Sequence, residues 1–175
     1  MLATTVLKEN NDLKNYKNAC EVLNDFLDGL YTNVKGTSFI CACELGNEDH
    51  VKWFIEFYTI KGSLDHMIDE EGLYSTGNSK WTPLSVASFY GKLNVVKILL
   101  GHGVNVDKPR IRDGKTALMF ACSEGNIEII KVLIEHGAKI NEPCSQDGKT
   151  ALILACSQGN IEIVKHLLVH VQLKL

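Results

Sequence analysis

The chain has 175 residues, of which 45% are hydrophobic and 22% are charged, proportions that are ordinary for a folded protein. Its formal net charge of −3 at pH 7 gives no electrostatic reason to expect a nucleic acid partner or an anionic membrane. The sequence shows neither a secretory signal at its start nor a run of the roughly 18 apolar residues that a membrane span needs. We therefore expect an intracellular protein without membrane insertion, in the cytoplasm, with the nucleus left open.

The first predicted element is an amphipathic helix from Asn11 to Leu30. Its apolar residues recur on one face, and Asn, Asp, Glu and Lys occupy the other. Such a helix either covers the open apolar face of a neighbouring helical unit or binds a partner. We interpret residues 1–36 as an N-terminal cap, with partner binding as the alternative.

Four related units follow this helix. The last two are nearly identical: residues 113–135 read DGKTALMFACSEGNIEIIKVLIE, and residues 147–169 read DGKTALILACSQGNIEIVKHLLV. A fixed period in the range of about 20–50 residues is typical of stacked repeats. Within the single domain 1–175, we place the units at 37–80, 81–114, 115–148 and 149–175, the last of them incomplete.

Each unit has the pattern of a helix, a tight turn, a second helix and a loop. Thr116 can cap a short first helix, and the glycine at Gly125 signals the turn that follows it. Apolar residues then recur at helical spacing up to Gly137, where a left-handed glycine ends the second helix. Asp147-Gly148 supplies turn chemistry to the next loop. The pattern therefore predicts helix pairs joined by turn-rich loops.

The first unit is longer than the others, because its turn glycine Gly46 lies 45 residues before Gly91 whereas the later turns are 34 residues apart. We expect about one further helical turn, ending at Gly62. The rest, about 63–80, would form a longer loop with four acids near its tip: Asp65, Asp69, Glu70 and Glu71. Such an insertion often lies on the binding face of a repeat protein, and a tolerated surface excursion is the alternative.

These units resemble ankyrin repeats. The matches are Thr82-Pro83-Leu84 with Ala87, Thr116-Ala117-Leu118 with Ala121, and Thr150-Ala151-Leu152 with Ala155. The resemblance covers about residues 37–171 and implies an all-α ankyrin-repeat solenoid of about four repeats, which binds a protein partner on its concave and loop face. The family's usual histidine after this motif is replaced by Ser85, Met119 and Ile153. The hydrogen bonds of that histidine are therefore lost, and we expect the loops to be held less firmly.

Aromatic residues mark the second unit on this expected binding face. Trp81, Phe89 and Tyr90 stand at positions that are polar in the next two units. Aromatic residues often anchor protein interfaces. We predict that these three contact the partner; the alternative is that they pack under the neighbouring loop.

Three further residues are predicted to contact the partner. The only two arginines of the chain, Arg110 and Arg112, share one loop, and their guanidinium groups suit bidentate carboxylate or phosphate contacts. The alternative for them is a solvated loop tip. Met119 stands where the family's histidine is missing and could extend an apolar groove, with partial burial as the alternative.

The sequence offers no constellation for catalysis. His166 and His170 have chelating spacing but lack a third ligand, and glycines recur only at repeat turns. We expect no enzyme activity, no cofactor and no metal. The six cysteines are interpreted as small fillers in helix packing and indicate a reducing compartment: Cys20, Cys41, Cys43, Cys122, Cys144 and Cys156.

Two questions of function stay open at this point. A protein interaction scaffold is the main prediction; the alternatives are a stoichiometric inhibitor of an enzyme, such as the small ankyrin-type inhibitors of kinases that it resembles in size, and a targeting domain of a longer protein. The last unit also leaves Leu167, Leu168 and Val171 without a polar cap. We expect continuation into further repeats or truncation there, in preference to a frayed end or association through this uncapped repeat.

Overall fold

The computed structural model describes residues 38–60, 62–73 and 79–172. Its helices are α1 (Ser38–Leu45), α2 (Glu48–Ile60), α3 (Leu64–Met67), α4 (Pro83–Phe89), α5 (Leu93–Gly101), α6 (Ala117–Glu124), α7 (Ile127–Glu135), α8 (Ala151–Ser157) and α9 (Ile161–Gln172). Two short strands, β1 (Gly72–Leu73) and β2 (Lys80–Trp81), pair in antiparallel register, Gly72 with Trp81 and Leu73 with Lys80. The predicted cap helix from Asn11 to Leu30 lies outside the described residues.

The starts of α4, α6 and α8 are each set by a threonine. The Thr82 side chain accepts a hydrogen bond from the Ser85 backbone N–H at 3.1 Å, and Thr116 and Thr150 cap α6 and α8 in the same way. A threonine at this position satisfies one of the backbone N–H groups that a helix start leaves without a partner. The predicted cap at Thr116 is therefore confirmed.

The turn between the two helices of each pair requires glycine. Gly125 has φ of +77°, a left-handed conformation that side chains with a Cβ adopt at a cost. At Gly91, the equivalent turn of the preceding helix pair, the following pair also approaches closely, since a Cβ built on Gly91 would lie 3.1 Å from the Asn126 side-chain oxygen. The predicted turn at Gly125 is confirmed, as is the end of α7, where Gly137 has φ of +87°.

Two glycine-to-alanine substitutions should have opposite effects on stability. Gly125→Ala should lower the free energy of unfolding by about 1–2 kcal/mol, because alanine is strained at this positive φ. Gly101→Ala should raise it by about 0.5–1 kcal/mol, because Gly101 ends α5 with open space around its Cα and alanine restricts the unfolded chain. Urea unfolding of the two variants measures both; equal effects would contradict the assignment of Gly125 to a left-handed turn.

The additional residues of the first unit divide as predicted between a longer helix and a longer loop. α2 has 13 residues where α5 has nine, and Gly62 follows it with φ of +68°. The sequence predicted only a longer loop after Gly62, whereas this segment also contains the short helix α3 and the strand β1.

A row of equivalent side chains, one from the second helix of each pair, runs through the core. Its members are all fully buried: Phe54, Leu99, Leu133 and Leu167. Burying a side chain of this size stabilises the fold by about 1.5–3 kcal/mol. The predicted all-α repeat solenoid is confirmed, while the unit boundaries at 37–80, 81–114, 115–148 and 149–175 stay predictions.

The last helix pair exposes apolar positions that are buried in the pair before it. Ile153 is 45% exposed, whereas its equivalent Met119 is 1% exposed. The prediction that the cysteines are packing fillers agrees with the burial of Cys41, Cys43, Cys122 and Cys144, but it is wrong for Cys156, which is exposed. The reason is that no helix pair within the described residues covers this side of α8.

Candidate protein interaction surface

A buried ion pair organises the loop between α5 and α6, residues 102–116, which we name the second loop. Arg110 Nε donates to Asp113 Oδ1 at 3.0 Å, and Arg110 Nη2 binds the other carboxylate oxygen. The guanidinium carbon lies 4.1 Å from the centroid of the Trp81 ring and 4.8 Å from that of the Phe120 ring. Arg110 is only 7% exposed and Asp113 only 5%. The arginine thus combines a bidentate carboxylate contact with stacking on two aromatic rings.

The carboxyl group of Asp113 is held in its charged form. Burial by itself raises the pKa of Asp113. Hydrogen bonds from the Arg110 side chain and the Lys115 backbone, together with the charges of these two residues, outweigh burial and bring the pKa below its usual value. The pair is therefore a charged contact at neutral pH.

The third loop, residues 136–150, repeats this arrangement with a different partner. Cys144, at the position equivalent to Arg110, donates its Sγ–H to Asp147 Oδ1 at 2.7 Å, and the Lys149 backbone N–H donates to the same oxygen. These hydrogen bonds hold the pKa of Asp147 well below its usual value. The expectation that the loops are held less firmly without the family's histidine stays a prediction; Asp113 and Asp147 accept hydrogen bonds within these two loops.

Carboxylates of one loop also bind backbone N–H groups of the next. Asp69 accepts from the Asn105 N–H at 3.0 Å, and Glu71 accepts from the Ile111 N–H. Asp107 accepts from the Lys139 N–H at 2.9 Å. Asp69 and Glu71 belong to the loop between α2 and α4, which we name the first loop. Two of the four acids predicted near the tip of the first loop therefore brace the second loop.

The six residues predicted to contact a partner separate into two groups. Trp81, Arg110 and Met119 are buried. The alternative of a solvated loop tip was wrong for Arg110, because the rings of Trp81 and Phe120 and the Asp113 carboxylate enclose it. The structure shows packing contacts for these three, so their role in partner binding stays a prediction.

The other three predicted contacts reach the surface. Tyr90 is 39% exposed, Phe89 is half-buried with its ring 5.2 Å from that of Trp81, and Arg112 is exposed and donates to the Ser79 hydroxyl. The aromatic residues of the second unit therefore extend from a buried tryptophan to an accessible tyrosine. Their contact with a partner likewise stays a prediction.

The exposed apolar residues at the end of α1 and at the tip of the second loop were not predicted from the sequence. Ile111 is 82% exposed at the tip of the second loop, and Leu45 is 57% exposed at the end of α1. A comparison of equivalent positions could have found both of them. Leu45 is equivalent to Tyr90, at a position where the third unit has Glu124, and Ile111 is equivalent to Ser145.

A cavity of about 470 Å³ lies between the second and third loops, and we name it the interloop pocket. Pro109 and Pro143 line it at equivalent positions of the two loops, together with Met119. The loops are joined on either side, by the Asp107 contact with Lys139 and by the Gln146 N–H, which donates to the Asp113 carbonyl oxygen at 3.3 Å. Met119, predicted to extend an apolar groove, therefore lies in the lining of a pocket.

Stacked helix pairs with capped starts, glycine turns and projecting loops define a helical repeat protein. A family model described as "Ankyrin repeats (3 copies)" matches residues 10–110 and 104–174, and the chain belongs to the ankyrin repeat family. Members of this family are generally protein–protein interaction modules. No curated protein matches the chain. Within the ranges that the structure describes, no helix has the length and apolar character to cross a membrane.

Proposed function

We propose that this chain binds a protein partner through its loops and the turn ends of its short helices. The observation that carries the proposal is the placement of large exposed apolar residues. Leu45, Tyr90 and Ile111 are exposed in the first two units and the second loop, whereas the third unit has Glu124 and Ser145 at the equivalent positions. Aromatic residues are enriched among the residues that anchor protein interfaces.

The second loop, which carries Ile111, is held by contacts within the chain. The pair of Arg110 and Asp113 holds the second loop from within, and Asp69 and Glu71 brace it from the first loop. A surface that is already ordered loses little conformational entropy on binding. The buried residues Arg110 and Trp81 therefore support binding by holding Ile111 and Arg112 in place.

The proposal predicts loss of binding when the exposed apolar residues are replaced by the residues of the chain's own later units. The variant Leu45→Gln, Tyr90→Glu, Ile111→Ser takes the residues that stand at 158, 124 and 145. Truncated anchor residues typically cost at least about 1–2 kcal/mol each in binding free energy. We therefore expect proteins captured from the source cell by the wild-type chain to be lost from an affinity pull-down with the variant.

A matched control makes this result specific. Val169 is exposed on α9, and its equivalent in the third unit is Glu135, so Val169→Glu is the same kind of exchange away from the proposed surface. This variant should retain the captured proteins. Capture that survives the triple variant while being lost in Val169→Glu would place the partner on the last helix pair and refute the proposal.

The alternatives of an enzyme inhibitor and a targeting domain differ from a scaffold in a measurable way. A scaffold or targeting domain leaves the activity of its partner intact, whereas an inhibitor abolishes it at stoichiometric ratio. Once an enzyme is captured, its activity with and without the chain separates these cases.

A further inference from the structure

The gap between the first and second loops contains carboxylates of the chain itself. Asp69 accepts a hydrogen bond from the Asn105 backbone N–H, and Glu71 accepts one from the Ile111 backbone N–H. Both acceptors come from the first loop and both donors from the second. The backbone of a loop in this protein thus binds carboxylates on the side that faces the preceding loop.

The gap between the second and third loops has backbone N–H groups at the equivalent positions, but only one of them binds a carboxylate. The residues equivalent to Asn105 and Ile111 lie 34 positions later, at Lys139 and Ser145. Asp107 accepts a hydrogen bond from the Lys139 N–H, as Asp69 does from the Asn105 N–H between the first and second loops. In the described part of the chain no carboxylate accepts a hydrogen bond from the Ser145 N–H. The interloop pocket lies at this position, and Ser145 lines it.

The charges around the pocket favour an added carboxylate. Lys108 lines the pocket and is exposed, and its charge also acts on Asp69 of the first loop. The carboxylates of the lining are engaged, Asp107 with the Lys139 N–H and Glu142 with the Lys139 ammonium group at 3.1 Å. An acidic group that enters the pocket therefore has Lys108 and the Ser145 backbone in its lining, and a lysine or a backbone N–H favours the charged form of a carboxylate.

The apolar part of the lining favours a hydrocarbon side chain next to that carboxylate. Pro109 and Pro143 line the pocket from the two loops, and Met119 and Ile111 also belong to its lining. Pockets that combine apolar walls with a few placed polar groups are typical of specific binding sites.

Resting on the proposed function, we infer that the interloop pocket binds an extended acidic segment of the partner. An aspartate or glutamate carboxylate accepts from the Ser145 N–H and pairs with Lys108, in the part that Glu71 plays one repeat earlier. A neighbouring apolar side chain lies between Pro109 and Pro143.

The inference is tested with a display library of random linear peptides selected on the full chain. We expect the enriched peptides to carry an acidic residue beside a large apolar one. Titration of an enriched peptide should shift the backbone amide resonance of Ser145. The dissociation constant should rise about tenfold or more in Lys108→Glu, as for the loss of a charged contact.

The matched control is Lys97→Glu, which makes the same charge change at an exposed position of α5. It should bind the peptide like the wild-type chain. The inference is overturned if no acidic peptide is enriched, if the Ser145 resonance does not move, or if Lys108→Glu and Lys97→Glu weaken binding equally. None of these outcomes removes the capture of folded proteins through Leu45, Tyr90 and Ile111, which the pull-down tests separately.

Discussion

Replacing Arg110 with alanine should lower the free energy of unfolding by about 3–5 kcal/mol, the cost typical of removing one partner of a buried ion pair. The substitution leaves the Asp113 carboxylate buried without its guanidinium partner. It also removes the group that stacks on the rings of Trp81 and Phe120. Urea unfolding followed by circular dichroism measures the loss.

Arg112 offers a control on the same loop. It is exposed, so Arg112→Ala should change the free energy of unfolding by no more than about 0.5 kcal/mol. The double substitution R110M with D113N should recover part of the loss seen in Arg110→Ala, because no buried carboxylate is left alone. A cost of about 0–1 kcal/mol for Arg110→Ala, as for a surface pair, would contradict the buried arrangement.

Because of the pair of Arg110 and Asp113, the difference in free energy of unfolding between wild type and Arg110→Ala should depend on pH. The pKa of Asp113 is lowered in the folded chain, so its contribution to stability is fully present above the unfolded value of about 3.9. That contribution is lost as the pH falls through the folded pKa. The difference in free energy of unfolding between wild type and Arg110→Ala should therefore be largest near neutral pH and should become smaller below about pH 4.

The second large effect is expected in the row of core side chains. Leu133→Ala should cost about 2–5 kcal/mol, because Leu133 is fully buried in α7 and alanine leaves a cavity. α7 contacts its own partner helix α6 and the second helix of the preceding unit, α5. We therefore expect the loss to lower the midpoint of the main unfolding transition.

Leu167→Ala is the matched substitution at the equivalent position of α9. Leu167 is also fully buried, but it belongs to the last described helix pair, whose outer side no described helix pair covers. Because a repeat array is stabilised by contacts between nearest neighbours, this substitution should release the last pair in a separate transition at low urea. Hydrogen exchange that is accelerated only in α8 and α9 would confirm this; uniform acceleration through all the pairs would contradict it.

Local features of the fold were predictable because short-range chemistry decides them. Thr116 caps a helix through a hydrogen bond three residues away, and Gly125 turns the chain through its own φ. The longer α2 and its end at Gly62 also follow from the residues of that segment. Helix α3 was missed because its four residues carry too little periodicity to be recognised.

The candidate site was only partly predictable. The comparison of equivalent positions identified Tyr90, and the loop that holds both arginines identified Arg112; both residues are exposed. The same comparison of equivalent positions could have identified Ile111 and Leu45. It could not show that Arg110 is buried. The two rings that cover it belong to Trp81 in one unit and Phe120 in the next, and they meet only when the units stack.

The amino-acid sequence by itself determined the repeat, the helix pairs, the turns and the family, because each of these depends on residues within one period of the chain. The tertiary structure alone decided which loop residues are supports and which are accessible. Asp69 and Glu71 reach the second loop, and a pocket opens between the second loop and the third, through contacts between loops that belong to different units. Such contacts depend on how one unit packs against the next, and the sequence pattern within a single unit does not predict that packing.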